Sequence, residues 1–400
     1  MADSISPAAE LGGVTPARVP LYAGFLLTGV ATVLLGPLLP ELSREWSLPV
    51  DELAPLFVAQ FLASALGSLL SSYRQGLSLV LGYLLIGVGL LSLAIAAWPL
   101  AVAAVAATGL GLGLAIPATN LRVAHSQPAR RGAALSSLNL VWGAGAVACP
   151  LLFAVRPRGT SSDAVLVILA VAAGLVLVLL LRTPGGAEAR ADLAGASAPS
   201  RSAAPAGQAV ALVAIAAILF LYVGIENAVG GWLVSLADQF QPARTAASLW
   251  IGSGFWAALL ASRAIAPLLL RRISEPALYA TGIALAGAGL FGLLAGRSQA
   301  QVAVAAVAVG AGLAPLFPLT VSFLAELTAA TRSRSTGWVF ALAGTGGAAL
   351  HWLTARIAGG ADRLAAGFVA PMAGLALLAL LALLFGLLRR LGGTTQPQTV

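Results

Sequence analysis

An all-α integral membrane fold, with twelve transmembrane helices in two pseudo-symmetric six-helix halves, is what this sequence predicts, and three observations carry the prediction. Only 9% of the 400 residues are charged and 59% are hydrophobic, against roughly 25% charged in a soluble domain. Apolar runs of about 20 residues recur along the chain, each enough at about 1.5 Å per residue to cross about 30 Å of hydrocarbon. The second half of the chain also repeats small and aromatic residues of the first at a nearly fixed spacing.

The apolar runs place spans at about 19–42, 51–72, 78–97, 99–121, 133–155, 162–182, 209–236, 246–270, 277–296, 299–325, 334–357 and 364–388. They are continuous and rich in Ala, Leu and Gly, whereas a membrane β-barrel would alternate apolar and polar residues over about ten positions. Ahead of the first run, MADSISPAAELGGVTPARVP has no basic start, and no small-residue cleavage site accompanies the run, so a retained helix is expected rather than a signal peptide.

The formal charge is +8 and the chain has no lysine. With Met1 inside, the cytoplasmic segments hold Arg18, Arg74, Arg122, Arg130, Arg131, Arg182, Arg190, Arg201, Arg271, Arg272, Arg332, Arg334, Arg389 and Arg390. The external ones hold Arg44, Arg156, Arg158, Arg244, Arg297, Arg356 and Arg363, which leaves Arg263 within a helix. This is the positive-inside pattern. It accounts for the basic charge without a nucleic-acid partner and predicts a multi-pass protein of the cell (inner) membrane with both termini cytoplasmic, embedded in lipid as a monomer. The single Cys149 has no partner for an internal disulfide and reads as a packing residue.

Residues 183–208, TPGGAEARADLAGASAPSRSAAPAGQ, are rich in Ala, Pro, Gly and Ser and have no apolar face to bury. They read as a cytoplasmic linker between an N-terminal half, 1–182, and a C-terminal half, 209–400. Gly109, Gly111, Pro117, Arg131, Gly143 and Gly145 recur 201 residues on as Gly310, Gly312, Pro318, Arg332, Gly344 and Gly346, and Tyr22 and Gly24 recur 200 residues on as Tyr222 and Gly224. Matches in register across three helices indicate a duplication. Two like-oriented six-helix halves about a cytoplasmic loop resemble the major facilitator superfamily, which implies halves that rock about a central site.

The glycine ladders GLGLGLAIP (Gly109 to Pro117) and GAGLAPLFP (Gly310 to Pro318) remove side chains from a broad sector and let helices approach closely. Pro117, Pro315 and Pro318 break the backbone ladder, which a bundle tolerates where neighbours satisfy the freed carbonyls. Tight packing alone and packing that also bends during transport both fit.

The stretch YVGIENAVGGWL (Tyr222 to Leu233) puts a carboxylate past the middle of the seventh span. A charge there costs at least a few kcal/mol if it meets lipid, so Glu226 is expected to face protein or water. Tyr222 lies one turn earlier on the same face, with Asn227, Gly230 and Gly231 on the adjacent one. Three roles fit Glu226: exchanging a proton, accepting hydrogen bonds from a polyhydroxylated ligand, or bridging helices. The stretch resembles the seventh helix of fucose permease and the related sodium-dependent glucose transporter-like proteins. Weaker echoes are GFWAALLASR (Gly254 to Arg263), LAPLFPLTVSFLAE (Leu313 to Glu326) and LNLVWGAGAVACP (Leu138 to Pro150). The resemblance implies uptake of a hexose-like sugar coupled to H+ or Na+, through a site between the halves.

Three departures stand out. GSLLSSYRQG (Gly67 to Gly76) keeps Arg74 but has no acid, where the superfamily loop carries an Asp-Arg pair. Acids expected in the first and fourth helices are replaced by Thr28 and Thr32 and by Thr119 and Asn120, and the eleventh has His351 where proline is expected. Sugar sites combine amides and carboxylates with aromatic rings. The candidates for substrate binding are therefore Gln60, Asn120, Asn139, Tyr222, Glu226 and Asn227 with Trp142, Trp232 and Trp256. Trp250, Trp338 and Trp352 are further rings, and each Trp also fits packing or an interfacial belt. Glu226 is the candidate for proton or ion coupling. Arg263, Glu326 and Arg74 are candidate gating residues, and His351 fits either a proton relay or a satisfied histidine.

No cofactor, metal or enzymatic role is expected. His125, His351 and Cys149 do not have zinc-site spacing, and no Walker motif points to ATP. The rivals to sugar uptake are an exporter of drugs or small hydrophobic metabolites and a non-transporting sensor on the same scaffold.

Overall fold

The computed structural model describes residues 19–71, 74–126, 131–157, 159–182, 206–240, 246–328, 335–360 and 363–393. Each expected span is met by helix, and proline sets where the helices break. The first span is α1 (Val19–Val33) and α2 (Leu35–Glu45), bent by 45°. Pro37 has no N–H for the carbonyl of Val33, where α1 ends, and its ring crowds that turn. The first half continues with α3 (Ala54–Ser71), α4 (Gln75–Leu93), α5 (Leu100–Ser126), α6 (Arg131–Ala154) and α7 (Ser162–Arg182).

The second half has α8 (Ala206–Asp238), α9 (Ala247–Leu269), α10 (Glu275–Ala295), the broken span α11 (Gln299–Leu313) and α12 (Leu316–Thr328), α13 (Ser335–Ala358), and a last span made of α14 (Leu364–Gly367) and α15 (Val369–Gly393). The expected linker lies outside the described residues as far as 205. Among the described residues ten segments are long and apolar enough to cross a membrane, and the bent α1–α2 pair makes an eleventh. The twelfth expected span is α13, whose 24 residues suffice in length but whose Gly, Thr, His351 and Arg356 dilute its apolar character.

Glycine decides how the helices approach. A Cβ on Gly109 or Gly113 of α5 would strike the carbonyls of Gln60 and Ser64 on α3, so these two backbones meet with nothing between them. The same device recurs around a pseudo-two-fold axis. Gly89 faces Ala104 and Thr108 as Gly289 faces Ala305 and Val309, and Gly111 faces Gly82 and Ile86 as Gly312 faces Gly282 and Ala286. Besides a smaller contact of α2 with α8, two seams join the halves, α3 against α13 and α6 against α9. They too are copies: Gly143 meets Leu260 in one, and Gly344 meets Ala65 in the other.

One part of the expected repeat is corrected. Gly145 meets the carbonyl of Leu26 and Gly346 that of Phe220, so in the first helix of each half Leu26 answers to Phe220. In that register Thr32 answers to Glu226 and Gly36 to Gly230, and Gly36 in fact lies against Gly230 and Gly231. The match of Tyr22 and Gly24 with Tyr222 and Gly224 is therefore a coincidence of composition. A constant offset fails there because the second half has extra residues between its second and third helices, as α9 ends at Leu269 and α10 begins at Glu275 where α3 ends at Ser71 and α4 begins at Gln75.

Candidate functional site

The site begins at the break between α11 and α12. Pro315 has no N–H for the carbonyl of Ala311, and Pro318 has none for that of Ala314. Consecutive residues of α9 take both freed acceptors: Ser262 Oγ donates to the Ala311 carbonyl at 3.0 Å and Arg263 Nε to the Ala314 carbonyl at 3.4 Å. This is the satisfaction from a neighbouring helix that a proline inside a membrane bundle requires. The first half has Leu114 where the second has Pro315, and α5 runs unbroken through Pro117.

The rest of the Arg263 guanidinium reaches α8. Its Nη2 donates to Tyr222 Oη at 2.7 Å and to Glu226 Oε1 at 3.0 Å, and it lies over the Phe317 ring at 5.7 Å. Tyr222 and Glu226 share a helix face as their spacing predicts, and Glu226, 6% exposed, is turned into the protein. Burying two charges is repaid only when further hydrogen bonds complete them. The Tyr222 hydroxyl and the Ala314 carbonyl do so, and the cluster has no net charge.

One turn further along α8 is a cavity of about 10 Å³ on the boundary between the halves. That is room for about one water. Thr32 and Val33 of α1, Phe57 and Phe61 of α3, Asn227 and Gly231 of α8, Trp256 of α9 and His351 of α13 line it. The imidazole is stacked on Phe57 at 4.0 Å and on Phe61 at 5.2 Å. Across the pseudo-axis the equivalent place holds Gly252 facing Pro150, so the imidazole and its stacked phenyl rings have no counterpart in the α6–α9 seam.

Of the residues expected to bind substrate, Asn227 and Trp256 line this cavity, while Tyr222 and Glu226 form the charged cluster beside it. Trp142 meets Trp256 edge-on at 6.1 Å, and Trp232 packs against Phe57 at 5.3 Å. Gln60 lies apart from the lining, its Nε2 donating to the Thr32 carbonyl at 2.8 Å and so tying α3 to α1. The amide of Asn120 turns back on its own helix to the carbonyl of Ile116, and that of Asn139, an exposed residue, to Leu135. Trp250, Trp338 and Trp352 are at least half exposed, as an interfacial belt would have them.

Of the expected gating residues, Arg263 is held in the charged cluster. Arg74 is half-buried just ahead of α4 and makes no ion pair among the described residues, and the side chain of Glu326, in α12, lies outside them. At the opposite end of the bundle are pairs that the sequence reading passed over. Arg44 of α2 meets Asp238 of α8 at 3.5 Å across the boundary, and Arg156 pairs with Glu41 within the first half. Arg44 and Asp238 answer to each other in the repeat, a signal visible only once the register is right. Phe57 and Phe61, one turn apart on α3, were also missed because a pair of aromatics on an apolar helix reads as packing.

No model of a known protein family matches the sequence, and no curated protein matches it. Solved structures do. A xylose transporter from E. coli in a partially occluded, inward-open conformation aligns with a TM-score of 0.66 at 14% identity, over 90% of this chain and 96% of that one. A D-xylose-proton symporter aligns with a TM-score of 0.73 at 15% identity over 91% and 96%, and a mutant of a peptide transporter with 0.72 at 15% over 94% and 96%. With the helix order and the paired seams, these likenesses define the fold: the chain has the major facilitator architecture of twelve helices in two pseudo-symmetric halves.

Proposed function

We propose that the protein is a secondary transporter that imports a neutral, hydroxyl-rich monosaccharide by alternating access, coupled to H+ or Na+. The observation that carries this reading is the division of labour at the centre. The two charges, Glu226 and Arg263, are spent on each other, and the lining beside them is aromatic rings, an amide and an imidazole. Such a lining suits a ligand with flat CH faces and hydroxyls and gives no counter-charge to an ionic one. That two of the aligned structures are xylose transporters agrees with it.

A monosaccharide does not fit into about 10 Å³, since ligand sites run to roughly 300 Å³ or more. The halves must therefore part along the α3–α13 and α6–α9 seams to admit it. In coupling, Glu226 exchanges Arg263 for the ion, and the freed guanidinium keeps Tyr222 and the Ala314 carbonyl.

The test is flux into proteoliposomes with radiolabelled D-xylose, D-glucose and L-fucose. Glu226→Gln should abolish ion-driven accumulation about tenfold or more while leaving sugar exchange within about threefold. Movement of lipophilic cations with no sugar flux or competition would replace this reading by the exporter.

A further inference from the structure

The charged cluster accounts for Glu226, Arg263 and Tyr222, but the most buried titratable group on the cavity wall has no part in it. His351 is 1% exposed, and Nδ1 lies 2.7 Å from the Gly347 carbonyl of its own helix. A carbonyl only accepts, so Nδ1 holds the hydrogen, and in the neutral ring Nε2 is left with a lone pair. Nε2 makes no hydrogen bond. The backbone carbonyl of Asn227 lies near the ring, but one acceptor does not satisfy another.

A buried acceptor without a donor is costly, and native structures keep such groups for a reason. Here the surroundings hold the ring in place. Phe57 and Phe61 stack on it, the Nδ1 bond fixes its rotation, and Gly231, where a Cβ would lie 2.5 Å from Nε2, keeps that edge clear of a side chain. Trp232, with its ring 6.4 Å from the imidazole, has a buried Nε1 that is likewise without a partner. The pseudo-symmetric seam has Pro150 and Gly252 in place of the imidazole and Phe57.

We propose that His351 Nε2 is a specificity position for the transported ligand, accepting a hydrogen bond from a ligand hydroxyl whose ring face rests against Phe57 and Phe61. The proposal rests on the transport reading above and adds what the ligand must offer: a donor, not merely an acceptor, next to a flat apolar face. A ligand O-methylated or deoxygenated at that position loses the contact.

The experiment uses full-length protein in lipid nanodiscs with ¹⁵N-labelled histidine. His125, the other histidine, lies exposed at the end of α5, and His125→Gln leaves one imidazole to observe. D-xylose, D-glucose and L-fucose are added separately. Binding is read by thermal shift and the ring by its two ¹⁵N resonances. The expected result is a thermal shift with at least one sugar, together with an upfield change of several ppm confined to the Nε2 resonance. His351→Phe, which keeps the stacked ring and removes the nitrogen, should weaken that sugar about tenfold, the size of one lost hydrogen bond to a buried partner.

A thermal shift with both ¹⁵N resonances unmoved, or unchanged affinity in His351→Phe, overturns the assignment of Nε2 and leaves sugar transport standing. Neither thermal shift nor flux with any of the sugars overturns the transport reading, and this proposal with it. If His351→Phe does not fold, the resonances of the wild-type ring decide alone.

Discussion

Replacing Arg263 by Leu removes the guanidinium and leaves Glu226 buried without a counter-charge. The side chains are 19% and 8% exposed, so solvent screens the pair little, and breaking such a pair from one side costs about 3–5 kcal/mol. In the double variant Arg263→Leu/Glu226→Leu the stranded charge is gone as well, and about 2–3 kcal/mol should return as coupling energy. What does not return is the bond to the Ala314 carbonyl, which Pro318 frees and Arg263 serves. An unmet buried acceptor costs roughly 1–3 kcal/mol, so the double variant should remain below wild type by that amount. Equilibrium unfolding in mixed micelles, followed by the fluorescence of the eight tryptophans, gives all four corners of the cycle. A loss under about 1 kcal/mol for Arg263→Leu with additive single effects would refute both the ion pair and the role given to the guanidinium at the helix break.

Two other perturbations test the frame around the site. Gly145→Leu and Gly346→Leu, repeats of one another, put a side chain onto the carbonyls of Leu26 and Phe220 and should lower the thermal midpoint alike, whereas Gly174→Leu and Gly254→Leu, with nothing within 4 Å, should leave it near wild type. Arg44→Ala should cost under about 1 kcal/mol, because that pair is largely exposed. Yet it removes a tie between the halves, and in a Cys149→Ser background it should raise the rate at which a cysteine at Asn227 is labelled by a thiol reagent; an unchanged rate would show that the pair does not hold that end shut.

Much of the fold was legible because lipid demands it. Uncharged runs of spanning length and prolines at the right intervals leave few alternatives, and the glycines of the fourth, fifth, tenth and eleventh spans keep their offset because no insertion falls between them. The first and seventh spans were misregistered for the opposite reason. Glu226 was legible as an inward group, since a carboxylate in an apolar run has nowhere else to go. Its partner was not: Arg263 lies 37 positions away on another helix, and only the break at Pro315 and Pro318, folded against α9, shows why a guanidinium is there. Gln60, Asn120 and Asn139 show the limit from the other side. An amide in a span announces that it needs partners, but its own backbone or a neighbouring carbonyl meets that need as well as a ligand does.

The double grip of Arg263 also links mechanics to chemistry. The same guanidinium that neutralises the acid on α8 meets the carbonyl freed at the elbow in the tenth transmembrane segment, so the acid and the elbow share one side chain. A change of partner at Glu226 is thereby felt by the one residue that also ties down the elbow.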